Sequence, residues 1–145
     1  MLTRLIYHSE NHLGSAGSMI SDLNEILDIS NRNNERAGIT GALIFDSLWF
    51  VQILEGEREA VSHTLCRIVA DPRHDAVTIM DCRPTDNRLF GNWWMGLAVL
   101  SGDNEALFAP HGLKQLNPRR MSGEQVLAVA GELASRGLNR KLANA

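Results

Sequence analysis

Residues Leu48 to Glu57 read LWFVQILEGE, a run that is apolar from Leu48 to Leu54 except for one glutamine. Val, Ile, Phe and Trp favour a pleated, buried strand, and Gly56 set between acids marks its end. Successive side chains alternate across a strand, so Phe50, Gln52 and Leu54 share one face and Val51 and Ile53 the other. Both faces are apolar, and each needs a cover. An amide buried among them costs roughly 1 to 3 kcal/mol unless it finds hydrogen-bond partners. Gln52 therefore predicts a partner, and a backbone group or neighbouring side chain is the plainest candidate.

The flanking sequence supplies the rest of a sheet. Thr3–His8 reads as a first strand, with Leu5 and Tyr7 on one face and Ile6 on the other, and polar Ser9–Ser18 reads as a loop. From Met19 the apolar positions Met19, Ile20, Leu23, Ile26 and Leu27 follow a helical period. Ser18 or Ser21 caps this helix, which runs to about Asn34, with Gly38 beyond it. Ile39–Asp46 is a second strand, joined to the glutamine-bearing strand as a hairpin. Glu57–Ala70 returns to helical period until Asp71-Pro72 stops it. Val77–Cys82 and Trp94–Leu100 read as two further strands. The order βαββαββ predicts an α+β fold, a ferredoxin-like sheet with both helices on one face. The tail carries the capping box Ser122-Gly123-Glu124-Gln125, followed by Val126, Leu127, Val129, Ala130 and Leu133 at helical spacing. That apolar strip has two uses, as a cover for the other face of the sheet or as a subunit interface.

With 145 residues there is room for one domain with a real core. A net charge of −3, and no basic cluster beyond Arg119-Arg120, argue against a nucleic-acid surface. No apolar run approaches the roughly 18 residues of a membrane span, and no signal peptide opens the chain, so a cytoplasmic location is expected. Cys66 and Cys82 lack CxxC spacing and are expected as free thiols. His63 and Cys66 have no further ligands at useful spacing, so no metal site is expected. His8, His12 and His111 lack the neighbours of a triad, and no GxGxxG, Walker A or GxSxG motif occurs. No enzymatic activity is expected.

Polar side chains do stand where core residues belong. Tyr7 and Gln52 lie on the same face of strands that this topology makes central neighbours. Asn34 stands at the end of the first helix, and Met95 alternates with Trp93 and Leu97 in the last strand. Each alone has a structural explanation, as an anchored phenol, a helix cap or a gap-filling thioether. Together they fit a planar, polar-edged ligand held between the two helices, with Ile26 and Ile68 as its apolar side walls.

The motifs YHS (Tyr7–Ser9), NNERAGITGALIFD (Asn33–Asp46), FVQILEGE (Phe50–Glu57), DPRH (Asp71–His74) and RLFGNWWMG (Arg88–Gly96) resemble, in order and spacing, those of the BLUF family of blue-light sensors using flavin. The resemblance covers roughly residues 2–100, which implies a sensor domain over 1–100 and a helical extension over 101–145. It implies that FAD lies noncovalently between the helices, that Asn34 bonds the flavin's carbonyl edge, and that Ile26 and Ile68 pack on the ring. Arg73 and His74, with Arg32 and Asn33, are implied on the ribityl, phosphate or adenine side. Tyr7 and Gln52 are implied as the photoactive pair. The resemblance further implies that light drives an electron and a proton from Tyr7, that the return leaves Gln52 rotated or tautomerised, and that flavin absorption moves to longer wavelength. Gln52 then passes the change to Trp93 and Met95, with the choice between Trp93 and Trp94 as flavin neighbour, and between FAD and FMN in the cell, left open. About 45 residues follow the sensor, too few for a cyclase or phosphodiesterase domain. The expected output is a changed contact with a downstream protein or within a homo-oligomer, through the C-terminal helices. Two rivals are a flavin-free ferredoxin-like oligomerisation module, which would be colourless, and an acylphosphatase-like enzyme. The latter needs a phosphate-holding arginine loop after the first strand, where HSENHLG has none.

Overall fold

The computed structural model describes residues 1–12, 16–72 and 74–138. Along the chain lie β1 (Leu2–Asn11), α1 (Ala16–Ala37), β2 (Thr40–Phe45), β3 (Trp49–Glu57), α2 (Arg58–Ala70), β4 (His74–Pro84) and β5 (Gly96–Val99), then α3 (Glu105–Phe108), two 3-10 turns and α4 (Gly123–Arg136). The five strands form one sheet in the order β4-β1-β3-β2-β5, antiparallel except for the β2–β5 pair. This is the expected ferredoxin-like βαββαββ arrangement, and it makes β1 and β3 neighbours in the middle of the sheet. In that register Tyr7 stands opposite Gln52, and Leu43 flanks Gln52 from β2.

The two faces bury separate cores. On one, Leu5, Leu43, Phe50 and Leu54 pack against Leu23 and Leu27 of α1 and Val61 of α2. On the other, Ile6, Ala42, Ile44, Val51 and Ile53 pack against Phe108, Leu116, Val126, Val129 and Ala130. The tail therefore takes the first of its two possible uses and covers the sheet. Its helix starts as expected, because Ser122 Oγ accepts from Gln125 N at 3.2 Å and Gln125 Oε1 accepts from Ser122 N at 2.9 Å. Glycine at position 123 lets that first turn lie on β4, where a Cβ would come within 2.9 Å of Asp81. The Asp81 carboxylate meets the positive end of the helix dipole there.

Element boundaries depart from the sequence reading for identifiable reasons. β1 continues to Asn11 because Ser9, Glu10 and Asn11 all find ladder partners on β3 or β4, and backbone pairing outweighs polar composition. α1 starts before Met19, Ser21 lies within it, and the Ser18 side chain is outside the described residues. It runs past Asn34 to Ala37, where Gly38 at φ 71° closes it: Gly38 N donates to Glu35 O and Ile39 N to Asn34 O. That doubled closure is a Schellman ending, and it frees the Asn34 side chain from capping. β5 is shorter than Trp94–Leu100, since only Gly96–Val99 pairs with β2. β4 is longer than Val77–Cys82 and is bulged twice against β1, which blunts an exposed sheet edge. Among the described residues no helix is long and apolar enough to cross a membrane.

Candidate functional site

α1 and α2 each present a row of mixed polar and apolar side chains toward the gap between them. Ile26, Ile29, Ser30 and Asn33 follow the i, i+3, i+4, i+7 spacing on α1. Thr64, Arg67 and Ile68 on α2, with Asp71 just past its end, follow the same spacing. The rows face each other across a cleft of about 710 Å³, open mouth included, whose remaining lining is Asn34, Leu43, Gln52 and His74. The enclosed space within it is about 160 Å³, less than the roughly 300 to 1,000 Å³ of ordinary ligand pockets.

At the floor of the cleft a hydrogen-bond chain runs inward. The Tyr7 hydroxyl, fully buried, donates to Gln52 Oε1, and Gln52 Nε2 donates to Met95 Sδ at 3.3 Å. The thioether fixes the sense of this chain, because sulfur there can only accept. Turning the carboxamide over would set Oε1 against Sδ, two acceptors, and would offer N–H groups to the phenol, which can accept as well as donate. The present orientation is therefore favoured, but only by a weak sulfur acceptor. Burial, and secondarily the negative charge of Asp71, push the Tyr7 phenol far above its ordinary pKa. It stays a neutral donor at any ordinary pH.

Asn34 is buried, and its Nδ2 donates to Trp94 O at 2.8 Å. Its carbonyl oxygen has no protein partner among the described residues, and Asn34 lines the cleft. This half-filled carboxamide, together with the apolar side walls and the amide floor, fits a flat ligand with polar edges. His74 packs its ring 4.6 Å from that of Phe50, and its Nδ1 lies 3.0 Å from Ser9 Oγ.

Of the residues expected at the site, Ile26, Asn33, Asn34, Gln52, Ile68 and His74 line the cleft. Tyr7 and Met95 lie one step behind, each bonded to Gln52. Arg32 does not line it: the residue is exposed and its Nε donates to Asp28 O at 3.3 Å. Arg73 lies outside the described residues. Trp93 is on the far side of the sheet, packed on the core beneath the tail, while Met95 and Leu97 join the core beneath the helices. Strand alternation had placed Trp93 with Met95, but residues 91–95 are not strand, so the period of two does not reach Trp93. Trp94 is 40% exposed, and neither indole lines the cleft. Ile29, Ser30, Leu43, Thr64, Arg67 and Asp71 join the cleft without having been singled out. On the helices the signal was the matched spacing of the two rows, which periodicity alone displays.

Comparison with known proteins gives three results. A model of the BLUF family, described as sensors of blue-light using FAD, matches residues 2–96. The blue light- and temperature-regulated antirepressor BluF of Escherichia coli (strain K12) is 36% identical over 97 residues, 67% of this chain and 23% of that protein. Photoactivated adenylate cyclase subunit beta of Euglena gracilis is 38% identical over 73 residues, 50% of this chain and 8% of that one. The aligned regions are thus under a quarter of the length of these two curated relatives. Among solved structures, BlsA in its photo-activated state superposes with a TM-score of 0.83 at 28% identity, covering 92% of this chain and 94% of the other. The dark-state structure of BlrB, a BLUF protein, gives 0.74 at 30% identity, covering 94% and 97%.

Proposed function

The chain belongs to the BLUF family, the sensors of blue light using FAD, and from that premise we propose that it is a photoreceptor whose cleft holds the flavin ring between α1 and α2. The observation that carries this reading is the Tyr7–Gln52–Met95 chain reaching the cleft floor. Ile26 and Ile68 pack on the ring, and the free carbonyl oxygen of Asn34 takes a donor at its polar edge. Asn33, Arg67 and His74 line the same cleft and address the ligand's polar parts. The family's description names FAD, which supports FAD as the flavin held here.

Bound flavin supplies the absorption of blue light and an acceptor for an electron and a proton. Tyr7 is the donor of both. A phenol this far from ionising releases its proton only when its electron also leaves, and Gln52 Oε1 is the first base on the path. With flavin bound, Gln52 would end rotated or tautomerised with its bond to Met95 exchanged, a difference that the last strand and C-terminal helices would register. Holding such a pair of states apart needs a few kcal/mol, about 5.5 for a swing from 1:99 to 99:1, part of which hydrogen-bond exchange in a dry site supplies. The signal leaves as a changed contact with a downstream protein or within a homo-oligomer in the cytoplasm, without catalysis by this chain.

The test is an absorption spectrum of the purified protein with FAD, in the dark and under blue light. The expected result is a flavin band that moves reversibly to longer wavelength, and a Gln52→Leu variant that binds flavin but does not shift. Protein that stays colourless after FAD is added would favour the flavin-free module instead. A normal shift in Gln52→Leu would remove Gln52 from the switch.

A further inference from the structure

Residues 85–95 connect β4 to β5 without regular structure, yet they end at Met95, whose sulfur must stay within reach of Gln52. A connection of this length normally has to be fixed by specific contacts. Here they converge on two side chains at the far end of β3. The Glu55 carboxylate, with none of its surface exposed, accepts from two consecutive backbone amides, Leu89 N at 2.7 Å on Oε2 and Phe90 N at 2.8 Å on Oε1. Arg4 Nε holds the same Oε2 at 3.0 Å. Arg88 reaches back to the end of α1 and the sheet, donating to Gly38 O at 2.7 Å, Thr40 Oγ1 at 2.9 Å and Glu55 O at 3.0 Å. Beyond this anchor the chain is tied residue by residue toward the cleft. Trp93 O accepts from Gly41 N at 3.1 Å, Trp94 O accepts from Asn34 Nδ2 at 2.8 Å, and Met95 Sδ accepts from Gln52 Nε2 at 3.3 Å.

Glu55 and Gln52 lie on opposite faces of β3, so the anchor touches neither the cleft nor any ligand in it. Resting on the photoreceptor reading above, we propose that Glu55 and Arg88 are positioning residues of the light switch: they fix the 88–95 segment so that Met95 meets Gln52, and thereby set how long the lit arrangement lasts. The physical ground is that a sulfur acceptor is weak and a small displacement removes it. The Met95 contact favours the unrotated carboxamide, so with Met95 adrift the rotated, lit arrangement is no longer opposed and its return to the dark arrangement slows. Glu55→Gln is the sharpest probe, since its amide oxygen can serve only one of the two backbone N–H groups while its NH₂ confronts the other.

The experiment measures the dark return of the light-induced absorption change in the full chain with FAD bound, for the unaltered protein, Glu55→Gln, Arg88→Ala, Arg88→Lys, Met95→Leu and the Arg88→Ala/Met95→Leu pair, with thermal midpoints alongside. Glu55→Gln and Arg88→Ala are expected to keep the shift and return about tenfold more slowly, the rate equivalent of losing one hydrogen bond of about 1.4 kcal/mol. Arg88→Lys should recover part of the return rate. Adding Arg88→Ala to Met95→Leu should change the rate little, because both act through one contact. Return rates within about twofold of the unaltered protein in Glu55→Gln and Arg88→Lys, the variants least disturbing to folding, would overturn the proposal, as would rate effects of Arg88→Ala and Met95→Leu that simply multiply. A lowered thermal midpoint with an unchanged return would mark the anchor as merely structural and overturn it too. Absence of any shift in the unaltered protein would instead overturn the photoreceptor reading on which the proposal rests.

Discussion

At the scale of single residues, the protein concentrates its chemistry in one phenol and one carboxamide, and the phenol is the sole tyrosine in the chain. This makes its environment directly readable. Burial, aided by Asp71, holds Tyr7 protonated well above the pH at which an unfolded tyrosine ionises, near 10.0. Native protein then retains a proton that the unfolded chain has lost, so the stabilising contribution is complete below that pH and declines as pH rises above it, by about 1.4 kcal/mol per pH unit. In an alkaline titration, phenolate absorption should therefore appear together with unfolding rather than before it. A smooth ionisation near pH 10 with the fold intact would contradict the buried placement. Both residues were legible from alternation along β1 and β3, because central strands hold their period. Trp93 was not, because the segment before β5 departs from strand geometry and no periodicity governs it. The anchor at Glu55 was also hidden, since an acid before a glycine reads as the solvated end of a strand until residues 88–90 are folded over it.

At the scale of elements, the sequence displayed which segments form but not how far they extend. The ends of β1 and β4 are set by pairing with each other, as Asn11 with His74 and Thr3 with Pro84, a relation between distant positions that local composition does not express. The end of α1 is set by Gly38, which was visible, yet the two asparagines before it suggested an earlier stop. Asn34 gains its role in the cleft because the helix continues past it. The tail helix is the opposite case, as its capping box was readable and forms as written. Ser122→Ala should remove one of its two reciprocal bonds and lower stability by about 1 kcal/mol, seen as a fall of a few degrees in the thermal midpoint. The light-induced shift itself should survive, since α4 lies across the sheet from the cleft. Loss of the shift with the fold intact would place α4 in the switch and not merely after it.

At the scale of the whole molecule, the sheet is a shared wall between a cleft built by two helices and a cover built by the tail. Ile6, Ala42, Ile44, Val51 and Ile53 are buried only because the tail lies on them. A chain truncated after Leu100 would expose a contiguous apolar face, and such faces associate. Its hydrodynamic size should show dimers or larger species at concentrations where the full chain shows none. A monodisperse truncated monomer would show that the cover is dispensable. Gly96, immediately after Met95, extends the consequence of this shared wall. A Cβ there would lie 2.6 Å from Leu138 Cδ1 and 3.0 Å from the Trp93 ring, so glycine permits Leu138 to rest on the backbone itself. The sulfur that steadies the glutamine and the aliphatic group that ends the cover are thus separated by a single peptide unit. A cargo joined stiffly after Leu138 would take its bearing from that peptide, whereas a glycine–serine spacer would erase the heading, which makes this junction the natural place to graft a light-steered payload.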